Sequence, residues 1–207
     1  MPVFGRMRRG APADRIAVYD TDRAAVRAAG RDPRQFEALY RKYLPQVYSF
    51  AFYELGNHHD AEDVTERTFL SALAALPRFE ERGDGPSTFR VWLFRIARNA
   101  ISNHRRSLAR RREAPAELAD ALPAPLDPEH LAAERESIAR AWAAVARLPA
   151  DRRRALILRF VEEMSTAEIA RVMERSEGAV RVLVHRALRT VARELGARRE
   201  GDARQRR

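Results

Sequence analysis

Four prolines and a run of acids in REAPAELADALPAPLDPEH, residues 112–130, divide this chain into two parts that must fold separately. Proline is excluded from helix interiors and central strands, and four so close together leave only an extended connection. On both sides of it apolar residues recur every third or fourth position, the pattern of helices that bury one face. Phe36, Leu39, Tyr40, Tyr43, Leu44, Val47, Phe50, Ala51 and Leu55 form one stripe, which Gly56-Asn57 ends. A second helix is predicted from Asp60, read as an acidic N-cap, through Val64, Thr68, Phe69, Ala72 and Leu73 to Pro77. RFEERGDGPST, 78–88, breaks all periodicity and reads as a loop. STFRVWLFRIARNAISNHRR, 87–106, then carries Phe89, Trp92, Leu93, Ile96, Ala100 and Ile101 at helical spacing.

Beyond the prolines, Ile138, Trp142, Val145 and Leu148 form a stripe closed by Pro149, and DRRRALILRFVEEM, 151–164, gives another helix. STAEIARVM, 165–173, places Ser165 and Glu168 in capping-box spacing, and Ser176 is the predicted N-cap of the last helix. No segment alternates with period two. The predicted fold is all-α: two small helical domains joined by an acidic, proline-rich linker, the second domain a helix-turn-helix. Residues 1–33 read as a loose extension with at most one short helix, 34–108 as the first domain, 109–136 as the linker, 137–196 as the second domain and 197–207 as a basic, unstructured tail.

The net charge of +10 is sorted along the chain. Residues 1–86 balance to zero, 87–112 carry eight arginines and no acid, 113–136 sum to −6, and 137–207 sum to +8. Arginine is favoured over lysine throughout, since Lys42 is the single lysine, but that bias does not separate the signs. Two basic blocks flanking an acidic one point to two polyanion-binding surfaces. The 87–106 helix also carries Asn99, Asn103 and Phe94, the last a ring off its apolar stripe that reads equally as an exposed stacking platform or as core, while Phe89 and Trp92 are assigned to the core. In the last helix Val180, Val184, Ala187, Val191 and Leu195 mark the buried face. Arg181, Val182, His185, Arg186 and Arg189 then project outward, a face suited to a DNA major groove.

Other classes are poorly served. No apolar run reaches the roughly 20 residues of a membrane span, the first residues lack a secretory signal's apolar core, and there is no cysteine. A cytoplasmic protein without membrane insertion is expected. HHDAED, 58–63, could be read as a metal site, but a helix N-terminus attracts carboxylates without one. No catalytic triad, phosphate-cradling glycine loop or ligand-spaced histidine set occurs, so no enzyme, cofactor, metal or small-molecule substrate is expected. A stand-alone helix-turn-helix regulator remains the alternative at this point.

The span from Phe36 to Leu195 resembles the extracytoplasmic-function group of bacterial RNA polymerase sigma factors. DAEDVTERTFLSAL, 60–73, is similar to that group's polymerase-binding helix, FRVWLFRIARNAISNHRR, 89–106, to its −10 promoter-reading helix, and residues 148–188 to its −35-reading domain. The resemblance implies a subunit that binds core RNA polymerase, recognises and melts promoter DNA, and is held by an anti-sigma factor. It implies Asp60, Glu62, Asp63 and Glu66 at the polymerase. It implies Arg95, Arg98, Asn99, Asn103 and Arg106 at the −10 element, with Asn99 and the preceding loop reading bases. Ser176, Glu177, Arg181, Val182, His185, Arg186 and Arg189 fall at the −35 element. The acidic linker would thread through the polymerase. Three departures stand out: Glu66-Arg67 replaces a common Gln-Glu, Glu174 occupies a turn position usually held by glycine, and Ala179, Val182 and Leu183 stand where many members carry Thr, Ser and Arg.

Overall fold

Local signals and tertiary packing divide the work of shaping this chain, and they do so differently in its two compact units, Met1–Ala116 and Glu117–Arg207. A computed structural model describes the backbone of residues 12–81, 87–111 and 131–205. The described residues contain helices and no strand. The acidic segment 112–130 lies outside them.

In the first unit α2 (Phe36–Leu55), α3 (His58–Ala75) and α4 (Phe89–Arg111) enclose an aromatic core. Gly56 ends α2 in the left-handed region, φ 73°, a conformation that costs glycine no Cβ clash. α3 begins earlier than predicted: Asn57 is the N-cap, its side-chain oxygen accepting the Asp60 N–H at 3.0 Å, and Asp60 sits inside the first turn. Tyr43, Val47 and Phe50 of α2, Ala61, Val64 and Ala72 of α3, and Phe89, Leu93, Phe94 and Ile101 of α4 are buried together. A partly buried ion pair joins α4 to α2. Arg105 Nη2 lies 2.7 Å from Glu54 Oε2 and also donates to the Glu54 carbonyl.

The segment before α2 is not the loose extension predicted. Residues Pro12–Arg31 form a further helix, α1, whose Val26 and Ala29 are buried. Asp22, 1% exposed, accepts the Tyr43 hydroxyl at 2.5 Å and pairs with Lys42 Nζ at 2.5 Å. Among residues 22–31 the buried positions are Asp22, Val26 and Ala29, too small and mixed a set for hydrophobic periodicity to register.

In the second unit α5 (Leu131–Ala146), α6 (Ala150–Leu156), α7 (Thr166–Met173) and α8 (Glu177–Gln205) pack around Leu148, Leu156 and Ala187, with Val145, Val184 and Val191 against them. Ile138, assigned to the apolar stripe from sequence, is 43% exposed. α6 widens into a π turn over Ile157–Val161. Ser165 and Glu168 form the predicted capping box. The helix-turn-helix is α7, a short turn, and α8, with the Ser176 hydroxyl accepting the Ala179 N–H at 3.2 Å. The helix continues through the expected basic tail to Gln205, since alanine, arginine and glutamate favour helix.

Two non-glycine residues on either side of α7 take positive φ: Glu163 at 52° and Glu174 at 55°. The left-handed region costs an L-residue about 1–2 kcal/mol, part of which glycine returns through its larger unfolded-state entropy. Glu174→Gly and Glu163→Gly are therefore each expected to stabilise the second domain by about 0.5–1 kcal/mol. Denaturant midpoints measure this, with Glu174→Val moving the other way.

Candidate nucleic-acid interface

A stretch of helix without a single acid is useful to a polyanion only if its cations share a face, and on α4 they do. Arg95, Asn99, Asn103 and Arg106 are exposed and Arg98 is half-buried, all within the one strip that spacings of three and four define. Arg98 Nη2 donates to Asn99 Oδ1 at 3.2 Å and Arg106 Nη2 to Asn103 Oδ1 at 2.5 Å. Each amide oxygen is thus engaged by a guanidinium, which turns the Nδ2 donors toward an incoming acceptor. A row of cations interleaved with oriented amides can hold a phosphate backbone and meet unpaired base edges together.

Not every arginine of the block faces outward. Arg105 is committed to Glu54, and Arg90 donates to Gln46 at 3.3 Å and lies over the Phe94 ring, 5.6 Å from its centroid. Of its two readings, Phe94 takes the core. It is fully buried, its ring 5.4 Å from that of Phe50, because α4 packs against both α2 and α3 and buries a wider stripe than one neighbour would require. Phe89 is buried as predicted, and half-buried Trp92 rests on Phe79 at 4.8 Å and on Phe89 at 5.4 Å.

The acids of α3 do not act alike. Asp60 turns inward, its Oδ1 2.9 Å from Nε2 of buried His104 on α4, and so ties the first turn of α3 to the helix carrying the arginine face. Glu62 and Glu66 are exposed, and half-buried Asp63 lies 4.0 Å from Arg67. These three acids and His59 rim an open groove of about 600 Å3 between α2 and α3, whose apolar wall includes Tyr40, Leu44, Phe69, Leu70 and Leu73. Leu70 is 59% exposed. Sequence reading missed this wall: it placed Leu73 in the core, and Leu70, one step off the stripe, was the available signal. Tyr48 closes one end with its hydroxyl 2.5 Å from His58 Nδ1, and burial, then the charge of Glu62, raises its pKa above the ordinary tyrosine value.

On α8, Arg181, Val182, His185, Arg186 and Arg189 are all exposed, as the stripe argument requires. Ser176 spends its hydroxyl on the cap, and Glu177 in the first turn holds Arg181 at 3.0 Å. A groove contact by Arg181 must break or share that pair.

With both surfaces described, the comparisons with known proteins are specific. Residues 39–111 match the family model of sigma-70 region 2, and residues 138–191 that of sigma-70 region 4. SigC of Mycobacterium tuberculosis, an ECF RNA polymerase sigma factor, is 34% identical over 164 residues, covering 79% of this chain and 84% of SigC. The chain belongs to the ECF RNA polymerase sigma factors. Within this sigma-factor framework the region 2 match runs from α2 to the end of α4, and the region 4 match from α5 into α8. The ECF sigma factor BldN of Streptomyces coelicolor is 38% identical over 168 residues, 81% of this chain, but the match spans only 62% of BldN. The sigma factor RpoE of Bartonella quintana, solved in complex with the anti-sigma factor NepR, shares the fold: its TM-score is 0.64 at 24% identity, covering 79% of this chain and 98% of that one.

Proposed function

We propose that this sigma factor binds core RNA polymerase, directs it to promoters and promotes melting and initiation. It acts in the cytoplasm, without catalytic residues or a cofactor of its own. The observation that carries this reading is the single outward strip of α4, where Arg95, Arg98 and Arg106 alternate with Asn99 and Asn103. A double-stranded site would need groove-shaped complementarity; a row of cations and amides suits one splayed strand. Glu62, Asp63 and Glu66, together with Leu70 and Leu73, form the polymerase-facing edge, with Asp60 acting through His104. On α8, Arg181, His185, Arg186 and Arg189 grip phosphate near the −35 element, and Val182 meets bases by shape, with Ser176 and Glu177 at the helix entrance. The −6 segment 113–136 occupies the polymerase's nucleic-acid channel as a polyanion. The RpoE–NepR complex supports control by an anti-sigma factor.

Mixing the chain with core polymerase and a promoter library tests the proposal. A stable complex and promoter-dependent run-off transcripts are expected. Sequence-specific duplex binding without polymerase, and no complex with it at low salt, would instead favour a stand-alone regulator.

A further inference from the structure

The first N–H groups of a helix have no partner within it, and α4 obtains one from an unexpected distance. Thr88 N–H donates to Glu81 Oε2 at 2.8 Å and the Thr88 hydroxyl to the same oxygen at 3.2 Å, while the Ser87 hydroxyl donates to Oε1. Ser87 in turn accepts the Phe89 N–H at 3.2 Å. The carboxylate therefore closes the entrance of α4 from seven residues upstream of Thr88, against the positive end of the helix dipole. Two residues earlier, Phe79 packs on Phe89 and Trp92, with ring centroids 5.8 and 4.8 Å away. Segment 79–81 is thus fixed at two independent points along the first turn of α4. Trp92 lies one turn before Arg95, the first cation of the outward strip.

Glu81 also answers a question of charge. An acid beside a strand-binding helix repels phosphate, and α4 itself has none. Three donors and the helix end surround the Glu81 carboxylate, so it can order this entrance at little electrostatic cost to the strip.

We infer that Glu81 is a positioning residue for promoter-strand capture: it locks the entrance of α4, with Phe79 stowed on Trp92, so that Arg95 stands where the strand's backbone arrives. The inference rests on the proposed function. It concerns a residue that touches no DNA, and it predicts energetic coupling between two side chains on opposite sides of the first turns of α4.

The test uses the full chain with core polymerase, wild type against Glu81→Ala and Glu81→Gln, each also combined with Arg95→Ala. Core affinity, and promoter opening followed by a fluorescent base in the −10 element, are measured. Loss of a helix-end acceptor is expected to slow opening about tenfold in Glu81→Ala, with core affinity within about twofold of wild type. Glu81→Gln, which keeps an acceptor for the Thr88 N–H, is expected to recover to within about threefold. Arg95→Ala should slow wild-type opening about tenfold but the Glu81→Ala protein by less than about twofold, because the two defects would multiply unless one residue positions the other. Unchanged opening in Glu81→Ala, multiplying defects, or a parallel fall in core affinity would each overturn the inference. If Glu81→Ala does not fold, Phe79→Ala replaces it, since Phe79 holds the same segment on Trp92: it should slow opening and blunt the effect of Arg95→Ala, and unchanged opening or fully multiplying defects refute the inference. A wild-type complex that forms but never opens promoters refutes the functional reading itself.

Discussion

Asn99→Ala is expected to reduce promoter-dependent initiation roughly 5- to 150-fold, the span of about 1–3 kcal/mol for one base-specific contact, with no change in affinity for core polymerase. The asymmetry follows from where the side chain lies. Asn99 is exposed on the outward strip, its Oδ1 accepting from Arg98, and it is remote in sequence from the acidic edge of α3. Its removal leaves no buried group unsatisfied, so the fold should not respond. Run-off transcription on a promoter series with single −10 substitutions is the decisive measurement: the mutant should lose discrimination at one position. Loss at every position alike, or a parallel fall in polymerase binding, would remove Asn99 from base recognition.

Arg105→Ala, one face of the same helix away, should do the reverse. The Glu54 carboxylate is wholly buried and has Arg105 at 2.7 Å. Truncating the arginine takes a charged partner from a buried carboxylate, which costs about 1–3 kcal/mol, a large share of a typical domain's total stability. Urea unfolding of the first domain at neutral pH should show that loss. Replacing both partners, as in Glu54→Met with Arg105→Met, should restore most of it, because an apolar pair of similar volume leaves nothing unpaired. A loss under about 1 kcal/mol in Arg105→Ala would mean that the pair behaves as a solvated one. From sequence both residues lie in one arginine- and amide-rich block, and it is the packing that shows Arg105 tied to Glu54.

How much of the molecule was readable follows the range over which each signal acts. The Ser165–Glu168 capping box, the left-handed Glu174, the Ser176 cap and the outward face of α8 depend on neighbours within one or two turns, and all were legible. The strip Arg95–Arg106 was legible for the same reason. Phe94 was ambiguous because the width of a buried stripe depends on how many helices pack on it, which periodicity along one helix does not report. Asp60 was misread because an acid near a helix start satisfies the dipole whichever way its side chain turns, and its inward turn depends on His104, more than forty residues away. Leu73 shows the converse: a residue at core-like spacing becomes surface when the groove beside it is left open. Glu81 had no local signal, since its partners follow a loop with no periodicity.

The contact between Asp22 and Tyr43 bears on where this protein can be cut. The family match begins at residue 39, which invites excision of the promoter-melting domain at that boundary. Such a fragment would keep the residues proposed to touch the −10 element and the polymerase, yet it would remove Asp22 from the buried Tyr43 hydroxyl and from Lys42, and uncover the surface on which Val26 and Ala29 rest. The packed unit is larger than the segment that the family model matches, and an isolated domain intended for strand-binding work should start upstream of α1.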